Sequence, residues 1–187
     1  GVQRTWFRES ESVIEDVLGI KGKGNLKLDL EYVDGPSGTL AYVAAPAAAG
    51  PQTNQTMVID MADFETSEAI FKDDALAGTV LHEMVHATMN ANMDMLNFKS
   101  WFKEGTAEAV RGADDSLVSA IAGAGSEAAL MAEFVAINGL TALPGAPTNA
   151  QIRGVYQGGY VAMRYIEDKL GEDGIKTLMS ELTKGQT

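Results

Sequence analysis

The sequence predicts an α+β fold, and three observations carry that prediction. Leu26-Lys27-Leu28-Asp29-Leu30-Glu31-Tyr32-Val33 alternates apolar and polar residues at period two, the pattern of a half-buried strand. Two more short strand-like runs follow before residue 62, each set off by a loop rich in glycine and proline. From residue 73 the apolar spacing becomes helical and stays so almost to the C-terminus. A small N-terminal sheet should therefore precede a mostly helical remainder.

The elements can be placed in order. Val2 to Gly19 reads as a first helix with Val13, Ile14, Val17 and Leu18 on its apolar face. Lys21 to Asn25 turns the chain into the strand at 26–33. Asp34-Gly35-Pro36-Ser37-Gly38 is a turn, and Thr39 to Ala45 a second strand, expected to pair with the first as a hairpin. Pro46 to Asn54 is a loop, and Thr56 to Met61 a third strand. Asp73-Asp74 offers an N-cap and favourable charge for a buried helix that runs through Met89. Asn90 to Lys99 is a connection, and Trp101 to Arg111 a helix. Ser116 to Ile121 and Glu127 to Asn138 are short helices, and Gly139 to Thr148 a surface loop. Asn149 to Leu170 is a helix interrupted or delayed by Gly154 and Gly158-Gly159, and Asp173 to Thr183 ends the chain as a helix.

Length and charge narrow the function. The 187 residues are expected to form one domain, 1–187, with an upper α+β part at 1–95 and a helical lower part at 96–187. A net charge of −12 without a basic patch argues against nucleic acid as a partner. No apolar run is long enough to span a membrane, so no membrane partner is expected. The nine methionines are adaptable core filler.

The only two histidines, His82 and His86, are four residues apart with Glu83 between them. On a helix that spacing puts both imidazoles on one face, where they can hold one metal ion. Glu83 can then reach a water on that ion, the arrangement of the H-E-x-x-H zinc-protease signature. By composition alone such a match arises in roughly one chain of this length in a few hundred, so its surroundings matter. Leu76, Val80, Leu81, Met84, Val85 and Met89 spread around the helix and predict burial, and burying an uncompensated Glu83 carboxylate would be costly. A catalytic zinc site needs three protein ligands and an open position. The chain has no cysteine, so the third ligand should be a carboxylate or a rarer donor. Glu104 is the better candidate, with Glu108 one turn further on as the outer partner that orients a histidine. Asp94, Asp114 and Asp115 could ligate calcium, but nothing else in the sequence supports it.

His82-Glu83-Met84-Val85-His86 followed by Trp101-Phe102-Lys103-Glu104-Gly105, Ala107 and Glu108 resembles the gluzincin metallopeptidases, including their aminopeptidase and collagenase-like branches. The resemblance covers about residues 74–171. It implies a zincin-like fold and a single Zn²⁺ held by His82, His86 and Glu104, with Glu83 as general base and Glu108 supporting a histidine. Val155-Tyr156-Gln157-Gly158-Gly159-Tyr160 resembles the same families' tyrosine-bearing helix, which makes Tyr156 the oxyanion donor and Tyr160 the alternative. In those families an edge strand holds the substrate backbone, and Leu40 to Ala44 is the candidate here. The acidic, cysteine-free chain is also similar to metallopeptidase domains inserted in some bacterial flagellins.

The activity implied is that of a zinc endopeptidase acting on proteins or peptides. An aminopeptidase is the nearest rival, but Met61-Ala62-Asp63-Phe64-Glu65 does not match that branch's G-x-M-E-N motif. The rival of a different kind is a non-enzymatic metal-binding module of a larger surface assembly, which would have no need of Glu83. The class implies an extracellular or cell-surface location. The abrupt start at Gly1 is that of an excised domain, so membership of a larger polypeptide or filament is a further expectation.

Overall fold

The computed structural model describes residues 2–35, 38–46, 48–64 and 73–185. Its residues are 63% helical beside one three-stranded mixed sheet, which makes the fold α+β. The contacts divide the chain into two compact units, residues 1–94 with 178–187, and residues 95–177.

The first unit begins with α1 (Val2–Leu18), where Ile14 and Leu18, one turn apart, are each 1% exposed. Strands β1 (Asn25–Glu31), β2 (Ala41–Ala44) and β3 (Asn54–Asp60) follow. The order is β1-β3-β2, with β1 parallel and β2 antiparallel to β3. The expected β1–β2 hairpin is therefore not formed. The reason lies in the Met57-Val58-Ile59 run, whose three side chains are all buried. A strand apolar on both faces belongs at the centre of a sheet, and the alternating strands belong at its edges. Asp60 fixes this arrangement. Its Oδ2 accepts the backbone N–H groups of Val33 at 3.1 Å and Asp34 at 3.0 Å, which ties the chain leaving β1 to the end of β3. Its Oδ1 accepts from Ala62 at 2.9 Å and starts the 3₁₀ turn Met61–Asp63. These donors, led by the Asp34 amide, hold the Asp60 carboxyl below the usual carboxylate range.

Helix α2 (Asp73–Asn92) packs against α1 and the sheet. The capping expected from the Asp73 and Asp74 side chains lies outside the described residues. The C-terminal half of α2 is tied down by side-chain amides. Buried Gln55 Nε2 donates to Ala87 O at 2.8 Å, Asn90 Nδ2 to Gln55 Oε1 at 3.0 Å, and Asn92 Nδ2 to Lys21 O at 2.7 Å.

The second unit holds a 3₁₀ turn (Met95–Asn97), α3 (Ser100–Arg111), α4 (Asp114–Ala124), α5 (Glu127–Ile137) and α6 (Asn149–Arg153). A π-helical turn (Gly154–Gly158) then leads into α7 (Gly159–Leu170). Helix α8 (Glu172–Lys184) belongs partly to each unit. Ser126 caps α5, and Thr148 with Gln151 forms a capping box on α6. Trp101 lies edge-on to Phe134, with ring centroids 5.7 Å apart. Helices α3 and α7 meet backbone to backbone, because a Cβ on Gly105 would lie 2.4 Å from the carbonyl carbon and oxygen of Gly159. Among the described residues no single helix is long and apolar enough to cross a membrane.

The Gly105 contact generates a test. Gly105→Ala forces two backbones apart, and overpacking of this kind costs about 1–3 kcal/mol. Chemical denaturation should show a clearly lowered midpoint, and an unchanged midpoint would contradict the close approach.

Candidate metal centre

Helix α2 is buried nearly all round, as its apolar residues on several faces require: Val80, Met84, Val85 and Met89 are each 5% exposed or less. His82 and Glu83 share that burial at 7% each, and His86 is half-buried. The i, i+4 spacing brings His82 Nε2 and His86 Nε2 to 3.1 Å, with the rings edge to face. Two nitrogens on one tetrahedral zinc, each about 2.05 Å from it, would be about 3.3 Å apart. The pair is thus spaced for a shared ion without rearrangement of the helix.

Glu104, half-buried on α3, completes a donor group with the two histidines, and the ligand atoms of all three lie within 4.8 Å of one another. Two imidazoles and a carboxylate are a donor set that suits zinc and other borderline divalent metals. Beside Glu104, burial holds the Lys103 ammonium below its ordinary range, while the Glu104 charge acts the other way. The Lys103 ammonium donates to Thr141 O at 2.8 Å.

Glu108 is 2% exposed. Arg111, three residues on, donates to Glu108 Oε2 at 3.0 Å and to Ser116 Oγ at 3.1 Å. A buried carboxylate needs such a partner to remain charged. The i, i+3 spacing of Glu108 and Arg111 on one helix face is the local signal for this pair.

The two tyrosines have separate environments. Tyr156 is half-buried within the π-helical turn, which packs against α3. Single π turns are frequent at functional sites because they shift the angular register of the residues they carry. Glycines make this one possible. A Cβ on Gly158 would come within 2.7 Å of the Phe134 Cβ, and one on Gly154 within 2.9 Å of Glu133 O. Arg153, at the end of α6, forks onto Glu133 of α5, with Nε donating to Oε2 at 2.9 Å.

Tyr160 is 2% exposed, and its hydroxyl donates to Asp114 Oδ1 at 2.6 Å. Nothing in the sequence pointed to this pair, whose members are 46 residues apart. Asp114, weighed from sequence as a calcium ligand, accepts the Tyr160 hydroxyl. Burial first, then the hydrogen bond and charge of Asp114, push the Tyr160 phenol up to about 12.

The chain matches no protein-family model, no curated protein and no solved structure.

The Tyr160 environment predicts a pH dependence. A phenol whose folded pKa is raised above the ordinary 10.0 contributes stability that is fully present below pH 10 and lost as pH rises towards 12. Ultraviolet titration of wild type against Tyr160→Phe should place the missing ionisation near pH 12. In Asp114→Asn it should move down towards 10, without reaching it because burial remains. A Tyr160 midpoint at 10 in the wild type would contradict the buried hydrogen bond.

Proposed function

We propose that this chain is a zinc-dependent endopeptidase. The observation that carries the proposal is the donor group of His82, His86 and Glu104, with buried Glu83 next to the first of them. Bound there by these three side chains, zinc would act as a Lewis acid and lower the pKa of a coordinated water to about 7. Glu83 takes a proton from the attacking water and passes it to the leaving amine, so one carboxylate serves as base and then acid. Glu108, its charge matched by Arg111, orients a ligating histidine from outside. Tyr156, on the π-helical turn, donates to the oxyanion, while the Tyr160 hydroxyl donates to Asp114.

Strand β2 lies at an edge of the sheet, antiparallel to β3. An extended substrate joins that edge by strand addition, which reads the peptide backbone and leaves side-chain preference to neighbouring residues. The substrates are thus proteins or peptides, and the setting is extracellular or at a cell surface, as part of a larger polypeptide or filament. The aminopeptidase alternative lacks a recognisable device for the free amine. Of its nearest acidic candidates, Asp63 is half-buried beside Asp60 and Glu65 lies outside the described residues. A purely structural metal module would not need Glu83.

Three variants test this reading. Glu83→Gln should retain zinc and fold while losing about 10²–10⁴ in hydrolysis of an internally quenched peptide. Glu104→Ala should lose metal on dialysis, read by atomic emission. Tyr156→Phe should lower kcat about 10²-fold with little change in KM. Wild-type hydrolysis by Glu83→Gln would remove the general base, and a full zinc complement in Glu104→Ala would move the third ligand elsewhere.

A further inference from the structure

The first unit contains a half-open cavity of about 690 Å³ on the side of α2 away from the histidines. Small-molecule sites range over roughly 300–1,000 Å³. Leu26 and Leu28 of β1 and Met84 of α2 supply apolar wall, and Arg8, Glu11 and Lys23 also line the cavity. None of these three charged side chains makes an ion pair among the described residues. Thr88, 2% exposed, lines the same space, and its hydroxyl can bond a ligand there.

The cavity rim is closely packed. Gly24, at φ +77°, lies where a Cβ would be 2.0 Å from Thr53 O, and Asn92 holds the Lys21 carbonyl. Gln55, also in the wall, has its amide committed to Ala87 O and Asn90 and is not available to a ligand.

We propose that this cavity binds a zwitterionic apolar amino acid or short apolar peptide. Its carboxylate meets Arg8 and Lys23, its ammonium meets Glu11, its apolar side chain lies on Leu26, Leu28 and Met84, and a backbone polar group reaches the Thr88 hydroxyl. A simple anion would leave Glu11 facing its charge, and a simple cation would face Arg8 and Lys23. Only a ligand with both charges answers all three groups. The proposal does not rest on the metal reading.

The test is a titration of the dipeptide Leu-Leu into methyl-labelled protein, with and without chelator, followed by NMR. Saturable shifts of the Met84 and Leu28 methyls are expected in both conditions. Arg8→Gln and the isosteric Thr88→Val should each weaken binding about tenfold or more, because each removes a hydrogen bond to a charged or buried group. An unchanged melting temperature of Thr88→Val serves as the folding control. N-acetyl-leucinamide, which lacks both charges, should bind at least tenfold more weakly. No saturable shift at Met84, equal binding by both variants, or equal binding of the uncharged analogue would each overturn the proposal.

Discussion

Two imidazole nitrogens held 3.1 Å apart on a buried helix are the constraint from which the functional account follows. Both rings cannot carry protons towards each other at that distance. Either one nitrogen donates to the other or a cation takes the space between them, and burial makes the choice matter more than it would in water. The adjacent Glu83 carboxylate shares that burial at 7% exposed. The rest of the first unit keeps α2 in place. β3, with its buried Met57-Val58-Ile59 run, provides a central strand, and Gln55, Asn90 and Asn92 fasten the end of the helix to its neighbours.

The second unit solves a different problem. Glu104 and Tyr156 lie there on helical segments that pack more closely than ordinary side chains allow. Gly105 and Gly159 let two backbones touch, and Gly154 and Gly158 let the π turn lie against α5. That turn gives Tyr156 a register that a continuous α-helix would not. One turn later, burial and Asp114 fix Tyr160 as a hydrogen-bond donor within the fold. The two tyrosines on this short stretch thus differ in burial, Tyr160 being 2% exposed and Tyr156 half-buried.

Features that depend on local spacing were legible in the sequence. The alternation of β1, the helical periods, the disturbance at Gly154 and Gly158-Gly159, and the relation of His82 to His86 could all be read directly. Features that depend on distant partners were not. The parallel pairing of β1 with β3 depends on Asp60 capturing the amides of Val33 and Asp34, and no neighbour-based rule announces that. The burial of Met57, Val58 and Ile59 could have placed β3 at the centre had both faces been weighed. The Tyr160–Asp114 hydrogen bond joins α7 to α4 and leaves no trace in either segment alone. The cavity behind α2 is invisible for the same reason, since its lining comes from four separate stretches of chain.

Zinc K-edge X-ray absorption on protein dialysed against metal-free buffer tests the central claim most directly. The account predicts one zinc per chain, in a shell of nitrogen and oxygen at about 2.0–2.1 Å with the outer scattering of two imidazoles. Protein that retains no zinc, or zinc surrounded by oxygen without imidazole scattering, would contradict it.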